Sequence, residues 1–158
     1  MSVDHTVGTL QDRAAIEELL YNYCRFVDAV DVPAIVALFT DDATFDMGHG
    51  RVISRPEFGR LFESMTRYSA TSHHLSNISI SSLGEDVARV ESVLYAFHRI
   101  ADTAEEIHLW GRYSDEVVRH DGVWRVRSRR LRAAAEKTFP VREDPLPIYE
   151  LIDRTGRG

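Results

Sequence analysis

The stretch Val87-Ala-Arg-Val-Glu-Ser-Val-Leu-Tyr-Ala-Phe-His-Arg-Ile100 decides the fold. Ala88, Val90, Ser92, Leu94, Ala96, His98 and Ile100 fall on one side of a two-residue period; that side is apolar and small apart from one imidazole. Arg89, Glu91 and Arg99 fall on the other side, with Val93, Tyr95 and Phe97. Successive side chains of a strand point to opposite faces, so this is a long strand with one buried face, and His98 points inward. The same period runs through His73 to Leu83, Ile107 to Arg119 and Val123 to Ala133. Gly84-Glu85-Asp86 and Asp121-Gly122 read as hairpin turns, and Asp102 to Glu106 as a longer acidic loop.

Parity selects the candidate site residues on these strands. His74 is in line with Ser76, Ile78 and Ile80, whereas His73 is in line with Leu75, Asn77, Ser79 and Ser81, so His74 is the inward-facing candidate. On the next strand but one, Ile107, Leu109, Gly111, Tyr113 and Val117 share a face. Gly111 leaves room there for a ligand, and Tyr113 puts a polar tip in an apolar wall.

Upstream the period lengthens. Ile16, Leu19, Leu20, Tyr23, Phe26, Val27 and Val30 recur at three- and four-residue spacing between Asp12 and Val30, which is an amphipathic helix. Asp31 caps a second short helix with Pro33 in its first turn, ending near Asp41-Asp42. Ala43 to Met47 and Arg51 to Ile53 read as a hairpin around Gly48-His49-Gly50. Ser54 caps a third helix from Pro56 to about Tyr68, which the polar segment Ser69 to Ser72 ends. Helices followed by an antiparallel meander predict an α+β domain, a curved sheet wrapped around three helices. Residues 1–138 form that domain. Residues 139–158, with Ile148, Tyr149, Leu151 and Ile152, form a tail that packs on the domain or on a neighbouring subunit.

Composition narrows the function classes. The chain has 158 residues, of which 44% are hydrophobic and 28% charged, within the range of one globular domain. The single cysteine, Cys24, excludes an intramolecular disulfide and a cysteine-based zinc site. A start without a basic or apolar leader pattern, and no long apolar run, predict a cytoplasmic protein. The net charge of −6 argues against nucleic acid and anionic membranes as partners. Of Arg125, Arg127, Arg129, Arg130 and Arg132, three share a strand face opposite Trp124 and Val126 and read as a solvated or subunit-facing surface, and no aromatic platform interleaves with the five to bind nucleic acid. No HxH or HExxH spacing is present, and adjacent strand residues such as His73 and His74 cannot readily chelate one ion, so no metal site is expected.

Four segments carry a family resemblance: Tyr23-Cys-Arg-Phe-Val-Asp28, Ala37-Leu-Phe-Thr-Asp-Asp-Ala-Thr-Phe-Asp46, His73-His-Leu-Ser-Asn77, and Gly111-Arg-Tyr-Ser-Asp115 continuing to Asp121-Gly-Val-Trp124. In them the chain resembles the SnoaL-like branch of the nuclear transport factor 2 superfamily over about residues 10 to 133. The resemblance implies a cone of bent antiparallel sheet and three helices around a central apolar cavity. It is nearest to lyases of the scytalone dehydratase, bile-acid 7α-dehydratase and hexachlorocyclohexane dehydrochlorinase kind. By that likeness Asp28 is the helix-borne aspartate, His74 the proton-moving histidine, His98 a second pocket histidine and Tyr23 a catalytic tyrosine. Val27 and Met47 stand where scytalone dehydratase has tyrosines, which argues against that substrate. His49, two residues beyond Met47, is a possible replacement donor.

The expected activity is therefore that of a lyase or isomerase needing no cofactor, acting on a small, mostly apolar cyclic molecule. His74 abstracts the proton, Asp28 orients it, and Tyr23, Tyr113 or His98 donates to oxygen or to the leaving group. Val27, Met47, Leu94, Leu109 and Gly111 line the substrate. The competing class is a non-catalytic ligand-binding or assembly module, such as the small subunit of a ring-hydroxylating oxygenase. A homodimer or homotrimer is expected in either case.

Overall fold

A computed structural model of the chain describes residues 10–82 and 85–141. Helix α1 spans Leu10–Ala29 and buries Ile16, Leu19, Leu20, Tyr23, Cys24 and Val27, the apolar stripe of the helical period. It stops in a Schellman motif: Asp31 N–H reaches Phe26 O at 2.9 Å and Val30 N–H reaches Val27 O at 3.1 Å. Val30 occupies the left-handed position at φ 55, where glycine is usual. Asp31 then caps α2 (Val32–Ala37) by accepting from Ala34 N–H at 3.2 Å.

Helix α2 is shorter than the sequence suggests. Phe39 already belongs to β1 (Phe39–Asp46), which pairs with β2 (Val52–Ser54). The third helix is also reduced, to α3 (Phe58–Glu63) between two 3₁₀ turns at Arg55–Glu57 and Ser64–Arg67. The segment expected to end it is instead the start of β3 (Tyr68–Ser82). Strands β4 (Val87–Ile100), β5 (Glu105–His120) and β6 (Val123–Pro140) complete the sheet, β6 running well past its expected end. The rest of the expected tail, including Ile148 to Ile152, lies outside the described residues.

The sheet is α+β in the expected sense, curved and unclosed, with strand order β2-β1-β6-β5-β4-β3. It is mixed, because β1 runs parallel to β6. Parallel neighbours need a long crossover, which the rest of the meander supplies. The core fills the concave face: Phe39, Phe58, Ile16, Leu20, Ile35, Leu94, Val90, Val117 and Val126 are almost fully buried.

Two bulges decide which side chains enter that core. In β3, Ser76 faces Val93 and Ser79 faces Glu91, so three steps oppose two, and Asn77 takes up the extra residue at φ 50. In β6, Val126 faces Val117 and Ser128 faces Glu116, so Arg127 is the extra residue. Each bulge reverses parity along its strand.

Candidate active site

The bulge at Asn77 corrects the choice between the two adjacent histidines. His74 was expected to face inward because it is in phase with Ile78 and Ile80, but those residues lie beyond the bulge. On the near side, Thr71, His73 and Leu75 pair with His98, Ala96 and Leu94 and share their inward face. His74 pairs with Tyr95, is exposed, and places Nε2 2.8 Å from Ser72 Oγ. The imidazole that meets Asp28 is therefore that of His73.

The contact is close and multiple. His73 Nδ1 lies 2.7 Å from Asp28 Oδ1, the His73 backbone N–H donates to Asp28 Oδ2 at 3.0 Å, and Thr71 Oγ1 donates to Oδ1 at 2.8 Å. The imidazole is 7% exposed and the carboxylate 27%. Burial raises the Asp28 pKa, yet the bonds from the His73 ring and backbone and from Thr71 outweigh it and hold the carboxyl below its ordinary value. An ionised Asp28 fixes the proton on Nδ1 and leaves Nε2 as the ring's acceptor. His98 stands edge-on to His73 at 5.1 Å between ring centroids and lies 4.7 Å from the Tyr68 ring. An open cleft of about 320 Å³ reaches His73 from the α1 side, lined also by Tyr21, Cys24, Arg25, His74 and Leu75. Burial pushes the Cys24 thiol up to about 11, so it is no thiolate nucleophile at neutral pH.

A second polar group lies deeper and was not foreseen. Arg129 was read as outward-facing, opposite Trp124 and Val126, but the bulge at Arg127 turns it inward. Arg129 Nε and Nη2 bond Asp115 Oδ1 and Oδ2 at 2.8 and 2.7 Å, both side chains being fully buried. The guanidinium lies 4.1 Å from the Tyr23 ring centre and 4.2 Å from that of Tyr113. Tyr23 and Tyr113 meet edge-on with ring centroids 6.0 Å apart, and burial raises the pKa of both. Burial also works against the charge on Arg129, but Asp115 more than compensates, and its pKa is raised. One buried donor, Arg129 Nη1, has no hydrogen-bond partner, and the same holds for Ser92 Oγ. Sequence signals for both bulges were present: the buried apolar series changes parity between Leu75 and Ile78, and again between Val126 and Leu131.

The remaining expected residues divide. Tyr23, Val27, Leu94 and Tyr113 are buried in the core, and Met47 and Leu109 are partly buried against it. Gly111 does not leave ligand space. A Cβ there would lie 2.8 Å from the Arg132 carbonyl oxygen, so the glycine admits the bulged backbone of β6. His49 sits in the β1–β2 turn at φ 52. Among the described residues, no group of three or more His, Cys, Asp or Glu is placed to hold a metal. No helix of the described residues is long and apolar enough to cross a membrane.

Comparison with known families supplies the context. The family model of the SnoaL-like domain matches residues 8–130. The chain belongs to the SnoaL-like family. Among solved structures, this SnoaL-like chain resembles a candidate scytalone dehydratase from Novosphingobium aromaticivorans at 31% identity and TM-score 0.79, covering 89% of this chain and 97% of that one. A candidate aromatic ring hydroxylase from the same organism matches at 25% identity and TM-score 0.75, over 84% and 95% of the two chains. A type 2 hexachlorocyclohexane dehydrochlorinase shares the fold at 20% identity and TM-score 0.78, over 89% and 97%. No curated protein matches the SnoaL-like chain.

Proposed function

We propose that this SnoaL-like protein is a lyase or isomerase that removes a proton from carbon, with His73 as the base. The observation that carries the reading is the Asp28–His73 pair at 2.7 Å, set beside His98 at the rim of an apolar interior. His73 Nε2 takes the proton, and the imidazolium is stabilised by the Asp28 carboxylate. The electron pair of the broken C–H bond forms the new C=C bond, and a hydroxide or halide leaves from the adjacent carbon. In an isomerisation the pair forms an enolate that is reprotonated elsewhere. Donors for the departing group or the oxygen are His98, the Tyr23–Tyr113 pair and the unpartnered Nη1 of Arg129, which is aligned before reaction in a buried setting. The step itself calls for no cofactor.

The substrate class is a small, mostly apolar ring compound that reaches His73 through the cleft lined by Tyr21, Cys24 and Leu75, Val27 and Leu94 being closed off in the packed core. Likeness to the candidate scytalone dehydratase supports it. The alternative is a non-catalytic assembly module. It is favoured by the tight packing of Tyr23, Phe39, Phe62 and Tyr113 and by the likeness to a candidate aromatic ring hydroxylase.

The test is turnover and solvent-deuterium exchange on panels of hydroxy-steroids, polyketide-derived phenols and halocarbons. Wild type, His73→Ala and His74→Ala are compared. Activity lost in His73→Ala and kept in His74→Ala supports the assignment. Equal activity in all three removes His73 as the base, and inactivity of wild type on every panel favours the module.

A further inference from the structure

The cleft that reaches His73 has one wall of helix and one of strand. Tyr21, Cys24, Arg25 and Asp28 recur at three- and four-residue spacing, so they form one stripe of α1, turned toward β3. Arg25 stands three residues before Asp28, about 4.5 Å along the helix axis. Facing them, β3 supplies His73, His74 and Leu75. The Tyr21 ring is 40% exposed. The volume of about 320 Å³ falls at the low end of small-molecule sites, roughly 300–1,000 Å³, and admits one small ring compound.

The charge of this cleft runs against that of the molecule. The chain carries a net charge of −6, yet none of the six lining side chains is a carboxylate and one is a guanidinium, which stays charged throughout the working pH range. Asp28 lies behind His73 and is spent on that residue and on Thr71. Arg25 is engaged through one nitrogen only: Nη2 lies 2.5 Å from Glu18 Oε1 and 2.5 Å from Asn22 Oδ1. Among the described residues no hydrogen bond reaches its Nε or Nη1. The side chains of Arg25 and Glu18 are both more than half exposed, and surface pairs of this kind are weak and screened by salt. Glu18 therefore restrains the guanidinium without saturating it.

We propose that the substrate carries a carboxylate, which Arg25 binds in a two-pronged contact through Nη1 and Nη2, displacing Glu18 from the latter. The ring then lies between Tyr21 and Leu75, and its reacting carbon meets His73. The inference rests on the reading of His73 as the base and names the kind of molecule on which that base acts. The stripe on α1 sets the orientation, with the carboxylate at Arg25 and the reacting end toward Asp28. An uncharged ring compound of the same size makes the same apolar contacts but forgoes the charge-assisted bonds. Discrimination is local, because the net negative charge of the molecule repels anions elsewhere.

The experiment titrates the full chain at low salt with benzoate and with its uncharged counterpart benzamide, followed by ¹H–¹⁵N NMR, whose spectrum also reports folding. Wild type is expected to bind benzoate about 10-fold or more tighter than benzamide, with shifts at Tyr21, Arg25 and Leu75. Arg25→Gln removes the preference, Glu18→Gln increases it by removing the competing carboxylate, and Arg51→Gln on the β1–β2 turn leaves it unchanged. For a compound turned over in paired acid and amide forms, Arg25→Gln raises KM for the acid about 10-fold and changes kcat little. Equal binding of benzoate and benzamide by wild type overturns the proposal. So does a preference that survives Arg25→Gln, including one lost only in His74→Ala. The binding arm needs no turnover, so a preference lost in Arg25→Gln supports the carboxylate site even where wild type turns over no compound and the assignment of His73 as base fails.

Discussion

The Asp28 carboxylate holds His73 twice, accepting from its ring at 2.7 Å and from its backbone N–H at 3.0 Å. The second bond matters for precision. A carboxylate fixed to the same residue's main chain cannot drift relative to the imidazole, and Thr71 locks the remaining freedom from the side. Asp28→Asn is expected to keep the fold and the backbone bond but to lose stabilisation of the imidazolium. Turnover, or deuterium exchange on a substrate found in the panels, should fall about 10²- to 10⁴-fold. Thr71→Val should cost far less, with the loss in kcat rather than in KM.

Acid should expose the same carboxylate through stability. Asp28 has a folded pKa below its ordinary value, so its contribution is complete above about pH 4 and is lost as pH falls through the folded value. Asp46, lowered to about 2 chiefly by Arg132, acts in the same window. Urea midpoints followed downward from pH 5 should decline more steeply in wild type than in Asp28→Asn. Parallel curves would show that Asp28 is not held ionised by these bonds.

The buried pair Arg129–Asp115 predicts an asymmetry between single and double changes. Asp115→Leu strands a guanidinium with no counter-charge between two tyrosines and should destabilise by about 3–5 kcal/mol. Asp115→Leu with Arg129→Met removes both charges and should recover most of that loss. Urea unfolding of the three proteins measures it, and a double variant no better than the single would contradict the prediction.

Backbone strain gives two further substitutions of opposite sign. Val30→Gly relieves a β-branched residue at φ 55 and should stabilise by about 0.5–1 kcal/mol. Gly111→Ala drives a methyl into the Arg132 carbonyl and should destabilise by about 1–3 kcal/mol. Thermal melts of both variants against wild type test the pair.

How far the sequence carries can be argued from these same residues. The first helix was legible because its apolar stripe runs uninterrupted from Ile16 to Val27, and β4 was legible to the residue because it has no bulge. His98, Tyr23 and Tyr113 were legible as members of inward faces, whereas Asp28 was reached only through the family resemblance. His73 and Arg129 were not, because a strand period counted across an inserted residue assigns every side chain beyond it to the wrong face. Asn77, a residue type that tolerates positive φ, was the local clue to the first bulge. The parallel pairing of β1 with β6 left no mark, since it depends on where the chain returns rather than on any short pattern.

The ladder between β4 and β5 pairs without a shift from Val87 to Arg99, whereas the ladders on either side of it are interrupted. Those two strands act as a keel. The imidazole of His73 rides on one flank and the guanidinium of Arg129 on the other, so an insertion or deletion in either flank would move one of these two groups while the pairing of the keel stays whole.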